Sequence, residues 1–119
     1  MAKEKAVIFD LNSTLRKESG EPKKHILKKA EKDEKKEKVI ILSGEQAKDY
    51  SDARSWLDEH HLNRAELKMR PKGEVAHDEV EKEHLLSHVS RQFKVEKAYD
   101  DKPANVKMFK KHGIKAKEV

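Results

Sequence analysis

The chain has 119 residues, 43% of them charged and 34% hydrophobic, so its apolar set of about 40 side chains fills one core and not two. With no cysteine it has no disulfide framework and no thiolate zinc site, and its apolar runs are too short to cross a bilayer. The 28 basic and 23 acidic residues leave a net charge of +5, which permits attraction to polyanions, although much of the lysine is interleaved with glutamate as on a solvated helix face. The opening MAKEKAVIFD lacks the long apolar stretch and cleavage site of a secretory signal. A cytoplasmic protein with residues 1–119 in a single domain is the expectation.

In chain order, apolar blocks alternate with segments of helical periodicity. AVIFDL (6–11) and VIIL (39–42) are continuous hydrophobic runs, as in central parallel strands covered on both faces. AELKM (65–69), FKVEKAY (93–99) and IKAKEV (114–119) alternate, as strands nearer an edge do. Segments 23–36, 46–60, 78–90 and 103–112 read as helices. Ala53, Trp56 and Leu57 share one apolar face, and Val80, Leu85 and Val89 form another. Gly113 stops the last helix directly before a strand. The run KKAEKDEKKEK has mixed signs and good helix formers, as in a solvated helix, with a phosphate-tracking patch as the sharper alternative. Strand and helix in alternation predict an α/β fold, a three-layer α/β/α sandwich around a Rossmann-like, five-stranded parallel sheet. The first strand is expected at its centre, between the second and the fourth.

Polar groups fall at the carboxyl ends of these strands, where open parallel sheets place their sites. Asp10 ends the first in FDLNSTL, Ser43-Gly44 ends the second, and Asp100-Asp101 ends the fourth. Convergence of the three would make a carboxylate cluster suited to a divalent cation, with a hydroxyl and a helix amino terminus nearby for an anion. Taken singly, each is also a good cap or turn sequence.

VIFDLNSTL resembles the first motif of the haloacid dehalogenase superfamily, a hydrophobic strand ending in D-x-D-x-T/V. VIILSG is similar to its second motif, MRPKGEVAHDEVEKEHLL to the stretch with the third-motif lysine, and AYDDKPANVKMFKKHGI to the fourth motif and following helix. MRPKG followed by D-x-V-x-K is similar, more narrowly, to the phosphatase domain of bacteriophage polynucleotide kinase and related small phosphatases. The resemblance implies that Asp10 attacks a phosphoryl group to form an aspartyl-phosphate that water hydrolyses. It implies Mg²⁺ held by the Asp10 carboxylate, the backbone carbonyl of Asn12 and Asp100, with Asp101 acting directly or through water. Ser43, Gly44 and neighbouring amides would bind the phosphoryl oxygens, Lys82 would neutralise charge, Thr14 would fix the loop after Asp10, and Arg70 would contact the substrate.

Two residues depart from the pattern. Asn12 stands where the family has the aspartate that acts as general acid and base, and an amide cannot exchange a proton at neutral pH. Glu45 stands where close relatives often carry arginine after Ser-Gly. No segment is free to form a cap domain, and an open site with basic surroundings favours a nucleic-acid end or nucleotide phosphate over a neutral metabolite. Three readings remain open: an impaired phosphatase, a catalytically inactive module that binds phosphorylated ligand or nucleic acid, and a structural partner acting through its lysine-rich helix. His84 and His88 lie four apart but lack an evident third ligand, so a solvated face is expected there. Trp56 reads as a core anchor, and His60-His61 as a helix end.

Overall fold

The computed structural model describes residues 3–70 and 78–119. Five strands, β1 (Glu4–Asp10), β2 (Lys38–Gln46), β3 (Glu66–Arg70), β4 (Phe93–Asp100) and β5 (Lys115–Glu118), form one sheet in the order β3-β2-β1-β4-β5. Every pairing is parallel. The helices are α1 (Lys24–Glu34), α2 (Tyr50–Glu59), α3 (Asp78–Gln92) and α4 (Pro103–Lys111). The central place of β1 follows from its residues: Ala6, Val7, Ile8 and Phe9 are all fully buried, because both faces of the strand are covered.

Alternation along the strands divides the core in two. Val7 and Phe9 of β1 with Val39 and Ile41 of β2 meet Leu27 and Ala30 of α1 and Ala53, Trp56 and Leu57 of α2. Ala6 and Ile8 with Ile40 and Leu42 meet Leu86 and Val89 of α3 and Met108 and Phe109 of α4. Two helical layers therefore sandwich the sheet. Helix α1 keeps only Leu27 and Ala30 buried and turns its lysines outward, as a solvated helix should. Among the described residues no helix is long and apolar enough to cross a membrane.

The structure departs locally from the sequence reading in several places. Strand β2 does not end at Leu42. It continues to Gln46, with a register shift between Ser43 and Gln46 against β3, so Gly44-Glu45 form an irregularity within the strand rather than its end. The helix expected from residue 46 begins as a 3₁₀ turn at Ala47–Asp49 and becomes α-helical at Tyr50. Val80, counted on an apolar helix face, is 53% exposed, whereas Val89 lower on the same helix is buried. Helix α3 also passes into β4 without an intervening loop, at Gln92–Phe93.

The two halves of the core make a stability prediction. Phe109→Ala removes a ring that is 1% exposed and is expected to cost about 3–5 kcal/mol in urea unfolding. Val80→Ala is expected to stay within about 0.5 kcal/mol of the parent.

Candidate functional site

Asp10 pairs in register with Leu42, and Phe9 with Tyr99, so Asp10 and Asp100 lie side by side at the carboxyl ends of adjacent strands. The two-residue strand period puts Asp10 on the face of Ala6 and Ile8, and Asp100 on the face of Ala98, which is the side of α3 and α4. Lys82, in the second turn of α3, reaches them from above. Its side chain is 1% exposed, and Nζ donates to Asp10 Oδ1 at 2.6 Å and to Asp100 Oδ2 at 2.7 Å.

Each carboxylate has further donors. The Thr14 hydroxyl donates to Asp10 Oδ2 at 3.1 Å and approaches Asp101 Oδ1 at 3.4 Å. Asp100 accepts from the Lys102 backbone N–H at 3.0 Å and from Asn105 Nδ2 at 3.1 Å. Asn105, buried in the first turn of α4, was not singled out from the sequence. The available signal was an asparagine, a weak helix former, two residues after a helix-opening Pro103 and five after Asp100.

Burial is the chief influence on Asp10, and it pushes the carboxyl up from 3.8 to about 7; Lys82 works against this, while Asp100 adds to it. Ligand oxygens of Asp10, Asp100 and Asp101 all lie within 4.8 Å of one another. An oxygen-only set of three carboxylates, offset by one ammonium, suits a hard divalent cation.

Residue 12 lies on the other side of the same loop. The Leu11 carbonyl accepts from the amides of Thr14, Leu15 and Arg16 at 3.4, 2.9 and 3.0 Å. Ser13 sits at φ 65°, a left-handed conformation that turns the chain sharply. Thr14 thereby points inward, and Asn12 is exposed. Arg16 donates from Nε and Nη2 to Asn12 Oδ1 at 3.2 and 2.7 Å, and its guanidinium lies 5.7 Å from the centre of the Trp56 ring. Trp56 is buried as expected of a core anchor, yet its Nε1 donates to the Gly20 carbonyl at 2.7 Å and its ring stacks on His60 at 4.0 Å. It thus also braces the loop. The Arg16 and Trp56 roles were not visible in spacing, since the contact joins residues 40 apart in a loop and a helix.

Ser43 is buried in β2 one residue beyond the partner of Asp10, and Gly44 follows it in the irregular part of that strand. The side chains of Arg70 and Glu45 lie outside the described residues, as does residue 71 onward in the MRPKG phrase. His84 and His88 are exposed, with ring nitrogens 3.3 Å apart. His60 caps the end of α2.

A parallel α/β sandwich with a carboxylate and lysine cluster at the carboxyl ends of its first and fourth strands has its charged groups where open α/β sheets place ligand sites. The family model of the polynucleotide kinase PNKP phosphatase domain matches residues 7–119, and the chain belongs to that family. Its fold is similar to a chain in the structure of the Pnkp1/Rnl/Hen1 RNA repair complex, with a TM-score of 0.87, 23% identity, and coverage of 98% of this chain and 42% of that one. A chain in a structure of the Pnkp1/Rnl/Hen1 complex is similar at a TM-score of 0.90 and 22% identity, covering 100% and 47%. The chain thus spans less than half of either. No curated protein matches it.

The Asp10 environment makes stability pH-dependent. The folded chain holds the Asp10 proton up to about pH 7, whereas the unfolded chain loses it near the ordinary 3.8. Between those values the folded state binds more protons, so stability falls as pH rises through that window. In chelator, urea unfolding from pH 5 to pH 8 is expected to show a steeper loss for the parent than for Asp10→Asn, which cannot titrate.

Proposed function

We propose that the chain is a magnesium-dependent phosphohydrolase domain that removes a 3′-phosphate from a polynucleotide or nucleotide through an aspartyl-phosphate, slowed by Asn12. The observation that carries this is the Lys82 ammonium bridging Asp10 and Asp100 beside Asp101, at the strand ends. Family membership supports phosphoryl chemistry, and the RNA repair complex that contains a structurally similar chain points to a nucleic-acid substrate.

In this reading an oxygen of Asp10 forms a bond to phosphorus as the bond to the leaving oxygen breaks. Thr14 and Lys82 hold the Asp10 carboxylate in one orientation, each bonded to a different oxygen. Lys82 also offsets charge shared by the nucleophile and the phosphoryl group, while Ser43, Gly44 and Arg70 bind the phosphoryl oxygens and substrate. Asp10, the Asn12 carbonyl, Asp100 and Asp101 would hold magnesium, which when bound would supply positive charge favouring the ionised Asp10 and the incoming phosphate. The leaving oxygen takes its proton from water, because the Asn12 amide has none to give. Water then attacks phosphorus, the bond to Asp10 breaks, and phosphate departs with the water's proton lost to solvent.

The Asn12 amide also favours a second reading, a catalytically inactive module that binds phosphorylated ends. Phosphate release with magnesium separates the two. Asp10→Ala is expected to abolish release, and Asn12→Asp to raise it by up to about 10²–10⁴-fold for a poor leaving group and by less for an activated aryl phosphate. Arg16 remains to orient the new carboxylate. If Asn12→Asp is inert toward both substrates, the binding module takes precedence. In titration calorimetry Asp10→Ala and Asp100→Ala are each expected to weaken magnesium binding, and unchanged binding by both would remove the assigned metal site.

A further inference from the structure

We propose that a lysine-lined groove between α1 and the carboxyl ends of β4 and β5 holds the body of a single-stranded polynucleotide whose end enters the site; the proposal rests on the function given above. The groove has a volume of about 310 Å³ and is lined by Lys28, Lys29 and Lys32 of α1, Lys117 of β5, and Tyr99 of β4, with His25 at the start of the helix. Ile26 and Val119 complete the lining, and no aspartate or glutamate side chain lines it among the described residues. Lys29 pairs with Asp33 at 3.5 Å, so Lys28, Lys32 and Lys117 supply most of its charge.

Three features favour a nucleic-acid strand as the occupant. Lys28 and Lys32 are four residues apart on one helix face, about 6 Å along the axis, and Lys117 faces them from the sheet, so cationic groups border the groove from both sides. Tyr99, half-buried and stacked on Phe9 at 4.8 Å, adds aromatic surface. Cationic walls with an aromatic side chain are the combination that binds single strands without sequence preference. Tyr99 also immediately precedes Asp100 near the carboxyl end of β4, with the two side chains on opposite faces of the sheet. Groove and carboxylates thus share the carboxyl-terminal edge of the sheet, over which a strand would pass to bring its end to the site. An acidic protein would use the lysines but would not require the aromatic surface.

The test is anisotropy of a labelled single-stranded RNA of about 12 nucleotides ending in a 3′-hydroxyl, so that binding is read apart from turnover. The triple variant Lys28→Ala, Lys32→Ala, Lys117→Ala is expected to bind tenfold or more weakly at about 0.1 M salt, and its log–log salt slope to fall by about 2. A control with the same charge loss elsewhere, Lys94→Ala, Lys107→Ala, Lys110→Ala, is expected to change affinity much less; circular dichroism checks that both fold. Equal losses in the two triples would mean net charge alone attracts RNA and would overturn the groove, as would an unchanged groove variant. Polyglutamate displacing the RNA as well as unlabelled RNA does would assign the groove to an acidic protein instead. Phosphate release from a 3′-phosphorylated mononucleotide, expected to be the same in parent and groove variant, reads the catalytic proposal separately. A parent that binds RNA through the groove but releases no phosphate refutes the phosphatase alone, and the converse refutes the groove alone.

Discussion

A buried ammonium between two buried carboxylates organises this molecule. Removing Lys82, Asp10 and Asp100 from water is costly, and their mutual pairing at 2.6 and 2.7 Å offsets part of that cost. The pairing requires β1 and β4 to be parallel neighbours and α3 to cross above their ends. Thr14, Asn105 and the Lys102 amide then occupy remaining acceptor sites on the same carboxylates. The sheet order and the placement of the helices are thus tied to one small set of charges.

The loop after β1 separates two kinds of chemistry within a few residues. Asp10 and Thr14 face the buried cluster, whereas Asn12, on the far side of the tight turn at Ser13, faces outward to Arg16 and Trp56. A change between carboxyl and amide at residue 12 therefore leaves the buried charges where they are. Lys23 strengthens this division by donating to the Ser13 carbonyl at 2.5 Å, tying the start of α1 to the turn.

Much of the architecture was readable because burial leaves a mark in composition. The uninterrupted runs at 6–11 and 39–42 correspond to central strands, and the alternating runs to strands toward the sheet margins. Asp10, Thr14, Lys82, Asp100 and Asp101 were singled out together, and the structure brings them together. Lys82 owed its place wholly to family resemblance, since a lysine in a charged helix carries no local sign of burial. Other features leave still less trace. The irregularity at Gly44-Glu45 depends on how β2 meets β3, and the Arg16 contact with Trp56 depends on a loop folding back over a helix. Val80 misled because an apolar residue in the first turn of a helix can project beyond the layer it would cover.

The direct passage of α3 into β4 gives the site a fixed measure. From Lys82 to the end of α3 the helix rises about 15 Å, and β4 returns about 23 Å from Phe93 to Asp100. The lysine side chain, which leans toward the amino end of its helix, spans the difference. With no loop at the junction to absorb a change in length, one residue inserted or deleted between Lys82 and Phe93 would swing the ammonium about 100° around the helix and away from its carboxylates. Helix and strand here form a ruler whose length is set by electrostatics, so insertions are tolerated better in the segments outside it than within it.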